Sequence, residues 1–247
     1  MQIGIIQAGK VADALAERWS DYPPLYEDMF GGAAPEFRYR YYMTLEGELP
    51  AAPTECDAWL VTGSRHGVYD PLPWIEPLKD FLRATRAAGR PIIGICFGHQ
   101  VVAEAFGGRA TKFDGGWGLG RQDYAVAARP GWMADAPASL GLYAVHQDQV
   151  VALPEDATLL ATNEHCAHAM VAYGDAETPD AVTVQPHPEF EAAFVADLAR
   201  LIGDDNRAPG TVVDQALASL EGGDDNAIVA GLLAAYLRRI AEVRRAA

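Results

Sequence analysis

Short apolar runs alternate with helical spacings over the first hundred residues. Ile3-Gly4-Ile5-Ile6, Ala58-Trp59-Leu60-Val61-Thr62 and Pro91-Ile92-Ile93-Gly94-Ile95 are each bounded by turn residues. Between the last two, Trp74, Ile75, Leu78, Phe81 and Leu82 recur at the spacing of one helix face, and Gly89 and Pro91 mark the stop and the next start. Uninterrupted apolar strands separated by amphipathic helices predict an α/β fold: a central, mostly parallel sheet flanked by helices. After Gly107-Gly108 the texture changes. Residues 121–127, 142–145, 158–162 and 169–173 are β-like runs without long helices between them, which predicts antiparallel strands added to one side of the sheet. Residues 181–185 read as one more buried strand. From Glu191 onward the spacing is helical, and Ile228, Val229, Leu232, Leu233, Tyr236, Leu237 and Ile240 form an apolar stripe. The expected organisation is an α/β domain over 1–190 and a helical extension over 191–247 packed on it, with 203–226 as a loose connection between helices.

Composition narrows the function classes. The 247 residues carry 34 acidic and 19 basic side chains, a formal charge of −15, so no basic face for a nucleic-acid partner is expected. Half the residues are apolar, enough to bury a core. The longest apolar run, Ala227 to Leu237, is well short of the roughly 18 residues a membrane span needs. Met1-Gln2-Ile3-Gly4-Ile5-Ile6 lacks a basic n-region and reads as a first strand. Three cysteines, Cys56, Cys96 and Cys166, cannot all pair, which points to a reducing cytoplasm. Cys56 is expected to be a half-buried small side chain.

The sharpest local feature is Gly94-Ile95-Cys96-Phe97-Gly98, directly after a strand and before a helical run. It has the form of a nucleophile elbow with sulfur in place of serine oxygen. Such a turn lifts Cys96 above the sheet edge, sets it at a helix N-terminus that favours a thiolate, and aims the Phe97 N–H at a developing oxyanion. The bland alternative is a buried structural cysteine in a glycine-rich turn. A thiolate nucleophile also needs a base and a group to orient it. Gln185-Pro186-His187-Pro188-Glu189-Phe190 follows a strand, and in a proline-extended segment His187 and Glu189 point the same way. A polar loop at a helix start accounts for Glu189 alone, not for the whole constellation.

Gly94-Ile95-Cys96-Phe97-Gly98-His99-Gln100 and His187-Pro188-Glu189 resemble the two signatures of the class I glutamine amidotransferases, the Cys-His-Glu triad type. The resemblance runs to about Phe190 and implies that family's flavodoxin-like fold. It implies that Cys96 attacks a γ-glutamyl amide, that His187 protonates the departing nitrogen, and that Glu189 orients His187. Gly63 and Phe97 match the oxyanion-hole positions, Gln100 a position that contacts bound glutamine, and Val145, His146 and Gln147 the segment that receives the substrate's amino-acid end. Thr62-Gly63-Ser64-Arg65-His66-Gly67 departs from the Ser-Gly-Gly-Pro of synthase-linked members and looks more like free-standing ones, including γ-glutamyl peptidases. This suggests that Arg65 or His66 meets a carboxylate of a larger substrate; the alternative is two solvent-facing loop residues. The expected activity is cysteine-dependent hydrolysis of glutamine or a γ-glutamyl peptide or conjugate, with no metal or cofactor. One alternative is a glutaminase feeding ammonia to a separate synthase partner. Another is a non-catalytic sensor with an oxidisable Cys96. His165-Cys166-Ala167-His168 supplies too few convergent ligands for a metal, and Gly115-Gly116-Trp117-Gly118-Leu119-Gly120 reads as a loop with one packed tryptophan.

Overall fold

The computed structural model describes residues 1–19 and 21–246; Ser20 and Ala247, one in each of the two expected segments, lie outside the described residues. The parallel half of the main sheet consists of β2 (Arg38–Tyr42), β1 (Gln2–Ile6), β3 (Ala58–Val61), β4 (Ile92–Ile95) and β11 (Ala181–Val184), in that spatial order. β10 (Met170–Tyr173), β9 (Ala157–Thr162), β6 (Gly118–Val126) and β7 (Ser139–His146) continue it antiparallel, giving nine strands. β5 (Arg109–Lys112) and β8 (Asp148–Ala152) pair separately. The expected mostly parallel sheet, with antiparallel strands on one side, is what forms.

Side-chain alternation along the parallel strands builds two cores, one per face. On one face Ile3, Ile5, Leu60, Ile93 and Ile95 pack against Tyr26 and Phe30 of α1 (Tyr22–Gly31) and Val229, Leu233 and Tyr236 of α6 (Asn226–Ala246). On the other, Ile6, Trp59, Val61 and Ile92 pack against Leu78, Phe81 and Leu82 of α2 (Ile75–Ala87) and Val101 and Val102 of α3 (Phe97–Ala105). α4 (Ala192–Asp204) and α5 (Gly210–Ser219) pack against each other and against β6. The helices after residue 190 therefore complete the covering of the sheet.

Several elements lack a hydrophobic signature. β2 reads Arg-Tyr-Arg-Tyr-Tyr because it is an edge strand, bonded only to β1 and largely exposed. α1 begins where Asp21 accepts the N–H of Tyr22 ahead of Pro23, an N-terminal signal in a segment whose apolar pattern is weak. α5 forms within the connection expected to be loose. Ile228 departs from its expected place on the buried stripe: it is 40% exposed, because the α6 face that meets the sheet is centred on Val229, Leu233, Tyr236 and Ile240. Cys56 is fully rather than half buried, at 2% exposure, packed with Tyr42 and Trp59.

Leu233 is wholly buried against the sheet, so Leu233→Ala should destabilise the whole fold by about 2–5 kcal/mol in urea unfolding. Ile228→Ala, on the exposed side of the same helix, should change it by no more than about 0.5 kcal/mol.

Candidate active site

β4 ends at Ile95 and α3 begins at Phe97, so Cys96 alone makes the turn. Its N–H bonds the Val184 carbonyl at 2.9 Å, and its carbonyl accepts the Gln100 N–H at 3.1 Å. The backbone between these anchors is forced to φ 52°, ψ −102°. A non-glycine residue there stores about 1–3 kcal/mol of strain. The flanking glycines make the turn sterically feasible. A Cβ on Gly94 would stand 2.5 Å from the Gly98 carbonyl oxygen, and one on Gly98 only 2.2 Å from that of Val61. α3 thus lies directly on the ends of β3 and β4, with Cys96 at its N-terminus.

β11 is the parallel neighbour of β4, with Val184 opposite Ile95, so the chain leaving β11 emerges at the same edge as Cys96. The N–H of His187 bonds the Tyr143 carbonyl at 2.7 Å, and its ring stacks on Phe190 with centroids 4.1 Å apart and planes 3° from parallel. His187 Nδ1 lies 2.7 Å from Glu189 Oε1. A carboxylate only accepts, so Nδ1 holds the proton and Nε2 is left for the other side. A point on Gly63 where a Cβ would sit is 3.2 Å from His187 Cε1 and 3.8 Å from Cys96 Cβ, which places both side chains around one spot. Burial opposes a charged His187, but the Glu189 carboxylate and the Cys96 sulfur outweigh it and raise its pKa.

The other expected residues fall less uniformly. Phe97 is buried beside Trp74, with its N–H at the first position of α3. The N–H of Gly63, expected to face an oxyanion, instead donates to the Tyr26 hydroxyl at 3.1 Å. The reason lies in α1, a distant element that brings a hydrogen-bond acceptor to this loop. No hydrogen bond among the described residues engages the N–H of Ser64. Gln100 is buried, and its amide donates to the Asp148 carbonyl and to Gln185 Oε1. Val145 and Gln147 flank the buried His146, whose Nδ1 bonds the Asp148 carbonyl at 3.2 Å. Its Nε2 is buried with no hydrogen-bond partner among the described residues. Arg65 is exposed, whereas His66 is half-buried against Trp74 and 3.6 Å from Asp70. Arg65 therefore stands in solvent, and His66 is tied indirectly to Phe97 through Trp74.

The sequence reading overlooked Tyr26, whose hydroxyl lies 3.0 Å from Glu189 Oε1, and the stacking role of Phe190. The Asp21 cap could have signalled α1, but nothing local marks which of its tyrosines reaches Glu189. His168 Nδ1 bonds the Val150 carbonyl, and Cys166 belongs to the core. Among the described residues no group of three or more His, Cys, Asp or Glu is arranged to hold a metal ion. Gly118 to Gly120 belong to β6, not to a loop, and the Trp117 indole bonds the Arg207 carbonyl.

Residues 43–193, more than half of the chain, match the model of the family described as glutamine amidotransferase class-I. The chain belongs to this family. It is 29% identical over 171 residues to gamma-glutamyl peptidase 3 of Arabidopsis thaliana, covering 67% of each chain. It is 32% identical over 106 residues to a glutamine-hydrolyzing GMP synthase subunit of Methanospirillum hungatei, covering 43% of this chain and 54% of the relative. A crystal structure of a glutamine amidotransferase from Thermotoga maritima superposes with a TM-score of 0.75 over 98% of both chains at 21% identity, a likeness of fold. No helix among the described residues is long and apolar enough to cross a membrane.

Two histidines beside this site are held neutral. Burial foremost, then the nearby His168 and His146, push His99 down to about 3; burial, then His187 and His165, do the same to His146. Unfolded, each takes up a proton near pH 6.5; folded, neither does so until near pH 3. The stability they allow is therefore full above pH 6.5 and is lost as the pH falls. Urea unfolding should show a loss of about 2 kcal/mol per histidine between pH 7 and pH 5. His99→Gln should remove about half of that dependence.

Proposed function

We propose that this protein is a cysteine hydrolase of γ-glutamyl amide bonds, acting on glutamine or on γ-glutamyl peptides and conjugates. The observation that carries the reading is the buried His187–Glu189 pair, 2.7 Å apart, beside a cysteine held at positive φ on a strand-to-helix turn. The Cys96 thiolate attacks the carbonyl carbon of the γ-glutamyl amide, whose oxygen becomes an oxyanion. His187, as imidazolium, gives its Nε2 proton to the amide nitrogen, and the C–N bond breaks to leave a γ-glutamyl thioester and a free amine or ammonia. Water then attacks the thioester with His187 as base; glutamate departs and the Cys96 thiolate and the imidazolium are restored. Phe97 supplies one N–H to the oxyanion. Ser64 supplies the second, because the Gly63 N–H is already committed to Tyr26. The backbone at Val145 and Gln147, with the acceptor Nε2 of His146, receives the substrate's amino-acid end, and Gln100 braces that segment through Asp148. The protein's own dipoles and triad suffice for these steps, without a metal or organic cofactor.

The similarity to gamma-glutamyl peptidase 3 covers two thirds of each chain and supports a free-standing peptidase. The similarity to the glutamine-hydrolyzing GMP synthase relative supports a second reading, a glutaminase that hands ammonia to a separate synthase. The purified protein should release glutamate from γ-glutamyl dipeptides or conjugates faster than from glutamine, measured by mass spectrometry. Cys96→Ala should lower every rate by at least about a thousandfold. Arg65 is exposed, so any pair it makes with a leaving-group carboxylate is screened: Arg65→Ala should raise KM for such substrates by no more than about fivefold and leave glutamine unaffected. Activity on glutamine alone, appearing only with an ATP-using partner, would favour the second reading; inactivity of the wild type towards all these substrates, alone and with a partner, would refute both.

A further inference from the structure

Tyr26 stands on α1, 1% exposed, with its hydroxyl between two groups of the site. The Gly63 N–H reaches that oxygen at 3.1 Å, and Glu189 Oε1 lies 3.0 Å from it. An amide N–H can only donate, so it takes a lone pair of the phenol, whose single proton is left for the carboxylate. Burial above all, and the charge of Glu189, hold the phenol far above its ordinary pKa, so it stays neutral and stays a donor. Glu189 Oε1 thus receives two donors, Tyr26 and His187 Nδ1. Its other oxygen is buried with no hydrogen-bond partner among the described residues. The carboxylate is oriented through one oxygen, and of its two donors only Tyr26 is independent of the base being oriented.

We propose that Tyr26 is a positioning residue: it locks Glu189 against His187 and ties the loop after β3 to the same carboxylate. The proposal rests on the Cys96–His187–Glu189 reading. Loss of the hydroxyl has two opposed effects. A carboxylate with one donor fewer is more basic and would strengthen its hold on the imidazolium. A carboxylate free to turn holds it less well. The second effect dominates, because nothing on Oε2 replaces the lost anchor.

The test needs no substrate. Alkylation of Cys96 by iodoacetamide is followed against pH by mass spectrometry of its peptide, with Cys56 and Cys166, buried as Cys96 is, as internal references. In the wild type Cys96 should label at neutral pH and lose reactivity along an acid limb. In Tyr26→Phe the acid limb should move up by about half to one pH unit, so that at a given pH on that limb the rate falls about three- to tenfold. Circular dichroism should be unchanged. In a Glu189→Gln background the same substitution should change nothing further, which a purely structural role would not produce. A wild-type profile in Tyr26→Phe, or an acid limb moved down, overturns the proposal. A wild type in which Cys96 fails to label at neutral pH overturns the triad reading and the proposal together. Should Tyr26→Phe not fold, 4-aminophenylalanine at position 26 keeps the shape with a weaker donor. It should move the limb in the same direction by less, and no movement overturns the proposal.

Discussion

The turn from β4 into α3 leaves no room for a side chain on either flank of Cys96, and the site depends on that approach of backbone to backbone. Gly98 lies against the Val61 carbonyl and Gly94 against that of Gly98, so the helix axis, the strand ends and the cysteine are fixed as one rigid corner. The strain of a positive φ at Cys96 persists because hydrogen bonds on both sides, to Val184 and from Gln100, over-determine the turn. Parallel pairing of β4 with β11 then delivers His187 and Glu189 to the same edge as Cys96.

Burial sets the electrostatics of that edge. A charged imidazole and a carboxylate, both nearly inaccessible, each carry a desolvation penalty of several kcal/mol. It is offset by a short direct pair, by the sulfur beside it and by the Tyr26 hydroxyl, while the Phe190 ring holds the imidazole plane. The neighbouring His99 and His146 meet no carboxylate, and the same burial leaves them neutral. Similar side chains in one small volume thus take opposite protonation states according to whether an anion touches them.

Membership of the class I amidotransferases accounts for the sheet, the elbow and the order of the two signatures. Further features of the site lie around that frame. The loop after β3 carries Ser64, Arg65 and His66, and the Gly63 N–H just before them is taken by the Tyr26 phenol from α1. α6 lies across the face of the parallel sheet opposite α2 and α3, sharing a core with Ile3, Leu60 and Ile93. The helices after residue 190 are therefore part of what holds β1, β3 and β4 in place.

The parallel strands, α2, the antiparallel addition and the meeting of Cys96 with the His187–Glu189 segment at one sheet edge were legible in the sequence, because each rests on local rules. Apolar runs mark buried strands, glycines mark a turn without space, and a two-residue spacing in an extended segment puts two side chains on one side. What escaped depends on contacts between distant segments. β2 is an edge strand with no hydrophobic signature; α1 and α5 have apolar faces too weak to read alone; Ile228 fits a stripe whose orientation only the sheet fixes. The donor role expected of Gly63 likewise depended on a tyrosine 37 residues away in sequence. The sequence by itself determined the fold class and the cramped strand-to-helix turn that carries Cys96, since both follow from short-range pattern and sterics. Only the tertiary structure decided which N–H groups are free, which histidines are charged and which hydroxyl braces Glu189, because hydrogen-bond partnership and desolvation are properties of packed neighbours.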